Sequence, residues 1–181
     1  MSNIKIDFRI YNLTENYFED AWEIEGGLSI EKHGLVLTKR DEDEKDDGFR
    51  GDYVYLNLFD WLTSVPKMLS GQRCKIDFYD STETFIFRPD GDVIYFKYII
   101  EGIGSVTENE NKRYPNYEDG TPIATKELMQ EIINVSDKFI ETVELKIKTK
   151  SDVIDFKTKL LHTKEVYQKY LKKKWSAPQK V

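Results

Sequence analysis

The chain has one cysteine, two histidines, five prolines and no apolar run long enough to span a bilayer. Each scarcity excludes something. The lone Cys74 has no intrachain disulfide partner, which suits a reducing compartment. It falls in an expected strand without a local partner, so it reads as a small buried hydrophobe and not as a nucleophile. His33 and His162 are far apart, and no CxxC, HxxxH or HExxH spacing joins them to other ligands. No metal site is therefore expected. There is no GxSxG elbow, and Gly102-Ile103-Gly104-Ser105 completes neither a GxGxxG nor a P-loop. With those signatures missing, no catalytic residue and no cofactor is expected. The N-terminus, MSNIKIDFRIYNL, lacks the apolar region of a signal peptide, so a cytoplasmic protein without membrane contact is expected.

What the chain does have is charge and aromatic surface. Hydrophobic residues make up 39% and charged residues 33%, with 11 Tyr, 10 Phe and 3 Trp. Disordered chains are poor in aromatics, so this composition argues for a packed core. A length of 181 residues suits one domain. The net charge of −6 is unevenly spread: residues 121–181 hold 13 Lys against 8 acids, and residues 1–120 hold 14 basic against 25 acidic residues. An acidic, sheet-rich front (1–120) thus precedes a basic two-helix part (121–175) and a frayed tail (176–181).

The densest charge is DEDEKDD at 41–47, where Asp41, Glu42, Asp43, Glu44, Asp46 and Asp47 interrupt any apolar pattern. Such a run repels itself and is expected in solvent as a loop. A calcium loop with Gly48 as its sixth residue would place Lys45 third and Val54 twelfth, where oxygen ligands belong, so that reading fails. Arg50-Gly51-Asp52 reads as a turn before a strand.

Hydrophobic periodicity organises the remainder. Ile4, Ile6, Phe8 and Ile10 alternate with polar residues, the pattern of a strand over 3–11. Residues 28–38 read as a hairpin turning at Gly34. Tyr53-Val54-Tyr55-Leu56 reads as a further extended segment. Leu58, Trp61, Leu62, Val65 and Leu69 form one helical stripe over 57–70, which Pro66 should kink or shorten. Three extended runs over 74–100, separated by turn residues, predict an antiparallel meander. Residues 101–122 lose periodicity and form the longest expected loop. Thr121-Pro122 is a helix start, with Thr125 as an alternative cap. A long helix from there to 146–150 carries Leu128, Ile132, Val135, Phe139 and Val143 on one side. A last helix, 152–174, capped by Ser151, carries Val153, Phe156, Leu160, Tyr167 and Leu171. The expected class is α+β: a mostly antiparallel sheet of about six to seven strands, one short helix and two long C-terminal helices.

The remaining motifs point away from chemistry. Glu144-Leu145-Lys146 has the acid-x-Lys spacing of some nucleases, but on a helix its two charged ends diverge by about 200°. Lys164, Lys169 and Lys172–Lys174, with Tyr170 and Trp175 nearby, form a basic tail. Acids interrupt it and the whole chain is acidic, so no nucleic-acid partner is expected.

The strand–helix–meander segment from Tyr53 through Tyr98, with Trp61-Leu62 in its helix, resembles the small cytoplasmic immunity proteins of bacterial toxin systems in general build. That resemblance implies a protein that binds and blocks a toxin and needs no catalytic group. Independently, an acidic chain without a catalytic constellation favours a basic protein partner, through steered association and complementary charge. The expected function is therefore non-enzymatic binding of a basic toxin or effector. Asp41–Asp47 and the loop 107–120, with Tyr114 and Tyr117, are the candidate contacts. A phage-encoded inhibitor of a bacterial defence protein rests on the same physics. An enzyme or small-ligand binder with a pocket between sheet and helices is the rival class. A homodimer through the C-terminal helices is a third possibility.

Overall fold

The computed structural model describes residues 3–14, 17–39, 45–100 and 120–176, with side chains for all of these but 175 and 176. The α+β class holds, with seven strands and three helices among the described residues. The strands form two antiparallel sheets. One has the order β1 (Ile4–Ile10), β2 (Gly26–Lys32), β3 (Leu35–Val36); the other runs β4 (Cys74–Asp77), β5 (Glu83–Asp90), β6 (Val93–Ile100), β7 (Thr121–Ala124). The helices are α1 (Val54–Leu69), α2 (Thr125–Val143) and α3 (Lys150–Ser176).

The expected hairpin is present. His33 and Gly34 both take positive φ, 52° and 83°, which gives the turn a twist matching the β2–β3 strands. The meander is also present, with Phe85 opposite Tyr98 and Phe87 opposite Phe96. These aromatics face α1. Trp61 meets Phe85 and Phe87 edge-on at centroid distances of 5.7 and 5.6 Å. A second aromatic group ties the helices to β1: Phe156 packs on Tyr55 and Phe139, and Phe139 packs on Phe8. The expected stripes of α2 and α3 lie inside one buried cluster with α1 and both sheets, except that Leu171 is only partly buried. Their inner faces therefore form core. Cys74 is buried, as its setting in a strand implied.

Three local expectations are corrected. Val54–Leu56 are the first turn of α1, not a strand; just before them, Arg50 and Tyr53 make single antiparallel bridges to Leu28 and Glu25. Tyr and Val favour strands, but Val54 sits four residues before Leu58 on the buried stripe, and tertiary burial outweighs propensity. Thr121–Ala124 are an edge strand, where Pro122 is tolerated because its missing N–H faces away from the ladder. The helix α2 therefore starts at Thr125, without a side-chain cap, and ends at Val143. Ser151 lies inside α3 and does not cap it.

Pro66 does not shorten the helix. The helix α1 continues past it to Leu69 and closes on Gly71 (φ 83°), with Gln72 N–H donating to Lys67 O at 2.9 Å and Gly71 N–H to Met68 O at 3.0 Å. Proline has no N–H, so it cannot serve the carbonyl four residues earlier, that of Leu62. The buried Thr163 of α3 does so instead, its hydroxyl donating to Leu62 O at 3.1 Å. Thr163→Val should cost about 1–3 kcal/mol, the penalty of an unsatisfied buried carbonyl. In a Pro66→Ala background the introduced alanine supplies the N–H, and the same substitution should cost much less. Urea midpoints of the four proteins in this cycle measure the coupling, and equal costs in both backgrounds would refute the account.

Candidate functional site

Two segments build a strongly charged surface: residues 46–53, between the sheets in sequence, and 77–83, the β4–β5 turn. At its inner edge lies an ionic network. The Arg50 guanidinium pairs with Asp46, donates from Nε to Thr38 O at 2.8 Å, and lies 3.9 Å from Glu83 Oε1. Tyr98 donates its hydroxyl to Glu83, and the Arg50 guanidinium stands 5.6 Å from the Tyr98 ring centre. Both carboxylate side chains are nearly buried, at 6% exposure for Asp46 and 10% for Glu83. Thr38 completes the frame, donating its hydroxyl to Gly48 O at 2.6 Å and accepting from Ile30 N–H at 3.2 Å.

The acidic run is thus divided by its surroundings. Asp46 is turned inward, against the expectation that the whole run stands in solvent; Arg50 and the Gly48 N–H (2.8 Å) satisfy it. Asp47 remains half exposed, paired with Arg9, whose guanidinium also lies 4.2 Å from the Phe49 ring centre. Burial pushes the Asp47 carboxyl up, but the Phe49 N–H and Arg9 together outweigh it and hold the group below its ordinary value. Asp41, Glu42, Asp43, Glu44, Tyr114 and Tyr117 lie outside the described residues. Glu83, in the Arg50 network, pairs in register with Ile100, the last described residue before 101–119, which lie outside the described residues.

From Asp47 outward the surface alternates tyrosines with carboxylates. Tyr11 is 55% exposed, its N–H bonded to Glu25 O; Glu25 in turn bridges Tyr53. Tyr53 donates its hydroxyl to Asp80 at 2.7 Å, and Tyr79, 52% exposed, donates to Asp60 at 2.9 Å. Asp52 accepts from the Tyr53 N–H at 2.7 Å, from the Asn57 amide at 3.3 Å, and from the Asp80 N–H. These donors are all neutral. Among the described residues, Asp52, Asp60 and Asp80 have no Lys or Arg partner, so their negative charge is held in place without being cancelled. Burial raises the Asp60 carboxyl above its ordinary value, and the Tyr79 hydroxyl offsets only part of that. Burial, with the bond to Asp60 second, pushes the Tyr79 phenol up to about 12. The bond to Asp80 raises the Tyr53 phenol.

Asp52, Asp60, Asp80, Tyr53 and Tyr79 are not legible as a group in the sequence, because they are scattered over 29 positions. Of the Arg-Gly-Asp tripeptide, Arg50 is internal and only Asp52 reaches this face. No group of three or more His, Cys, Asp or Glu among the described residues is arranged to hold a metal ion. Among these residues, too, no helix is long and apolar enough to cross a membrane. Comparison with family models, curated proteins and solved structures finds no match to this chain.

Proposed function

We propose that this protein binds a basic protein partner through the face carrying Tyr11, Asp52, Tyr53, Asp60, Tyr79 and Asp80, and that it acts as an inhibitor or immunity factor. One observation carries the reading: three carboxylates fixed by tyrosine and amide donors, with no cation of the described chain opposite them. Fixed, uncancelled charge attracts an opposite surface without first breaking internal ion pairs. Exposed tyrosines beside it supply contact area at low entropic cost, together with hydroxyls for hydrogen bonds.

The test is capture by the immobilised protein from a bacterial lysate at low salt, elution at high salt, and titration of the eluted partner. Asp60→Lys with Asp80→Lys should weaken that partner by about 10- to 100-fold, mostly through slower association. Tyr79→Ala should act mainly on dissociation. A partner bound equally well by the doubly reversed variant would sink the proposal.

A further inference from the structure

A different surface carries an independent inference. The outer sides of α2 and α3 enclose an open groove of about 350 Å³ with Ile140, Leu160 and Leu161 among its lining. Its two banks carry opposite charge. Asp137, Glu141 and Glu144 stand on α2, and Lys157 and Lys164 stand on α3. Lys157 pairs with Glu144, and Lys164 with Asp137 at 2.7 Å, so the two helices run antiparallel in a defined register. Glu141, between those two bridges, has no ion-pair partner among the described residues. Meanwhile α3 bears a second apolar line, away from its core stripe. Ile154 and Leu161, seven residues apart, are 61% and 60% exposed.

We propose that this face pairs with the same face of a second copy of the chain. The charges select the occupant. Because each lysine is already bridged to a carboxylate on the other bank, a surface of one sign would have to break those pairs to gain on one bank and would be repelled on the other. A two-toned surface fits, and this face is itself one. The charges also select the symmetry. A two-fold axis across the helices would stack α2 on α2, acid against acid. An axis parallel to them sets α2 of each copy over α3 of the other, giving an antiparallel four-helix arrangement. That axis preserves height along the helices. Glu141 then lies level with the stretch between the second copy's Lys157 and Lys164, and Leu161 closes over the groove. Leu145, which is 92% exposed and follows Glu144, comes level with the second copy's Ile154.

Sedimentation equilibrium of the full chain, at low and high salt, tests this. A dimer that salt weakens is expected. Leu161→Glu should raise the dimer dissociation constant by at least about tenfold. Glu141→Lys should weaken it in the same direction. Both side chains stand at the surface, and circular dichroism checks that the variants fold. A wild-type chain that stays monomeric at about 100 µM in low salt overturns the inference. So does a dimer indifferent to Leu161→Glu, and a dimer indifferent to Glu141→Lys overturns the charge registry. None of these outcomes depends on the Asp60–Tyr79 face, which lies on other elements.

Discussion

Replacing Arg50 by methionine is expected to destabilise the protein by about 3–5 kcal/mol, the usual result of removing one member of a buried ionic group. Asp46 and Glu83 would remain, nearly buried and facing the vacated space. Methionine matches much of the arginine's volume, so lost packing contributes little and the uncompensated charge dominates. Arg50→Lys should recover part of the loss only. A single ammonium cannot bond the Thr38 carbonyl through Nε while also meeting Asp46 through a second nitrogen, as the guanidinium does. Adding Glu83→Gln to Arg50→Met should restore some stability by removing one buried charge. Urea unfolding of the four proteins measures all three statements. A loss under about 1 kcal/mol for Arg50→Met would mean that both carboxylates rehydrate, and that the network does not hold the two sheets together.

Gly26→Ala is the second large effect, expected at about 3 kcal/mol or more. A Cβ at this position would stand 2.0 Å from the Arg9 carbonyl oxygen and 2.6 Å from a Val54 methyl. Neither neighbour is free to yield. Gly26 pairs with Ile10 in the β1–β2 register, its N–H donates to Asp52 O at 2.8 Å, and Val54 N–H donates to Ile24 O at 3.1 Å. The strand is thus clamped on one edge by β1 and on the other by the segment that leads into α1. Gly91→Ala is the contrast. At Gly91 (φ 61°) a Cβ meets nothing within 4 Å, so only backbone strain of about 1 kcal/mol is expected. Thermal midpoints of the two variants compare them directly. Equal shifts would show that β1 does not pack closely against Gly26.

Much of the architecture was legible from spacing. The alternation of Ile4, Ile6, Phe8 and Ile10, the meander over 74–100, and the stripes of α1, α2 and α3 each repeat at the period of their own backbone. Burial follows that period closely enough to be read from a line of letters. The errors fell where local preference and tertiary contact disagree. Val54 and Tyr55 favour strands but start α1, where they are needed in the core. Thr121-Pro122 has the form of a helix start, but the free edge of β6 recruits it as β7. Pro66 stays inside α1, and the hydroxyl that keeps Leu62 O satisfied lies 101 positions away.

The candidate site divides in the same way. Charge counts need no geometry, so the concentration of negative charge in the front part of the chain is readable from its letters. Which carboxylates keep that charge available depends on contacts made in the folded chain. Asp46 and Asp47 belong to the most conspicuous acidic run, yet Arg50 and Arg9 pair with them. Asp52, Asp60 and Asp80 lie outside that run and form no acidic cluster in the sequence, yet they meet only neutral donors. The physical reason is that a charge is cancelled by whatever cation the fold brings within a few ångströms, and the distance along the chain does not limit which one that is.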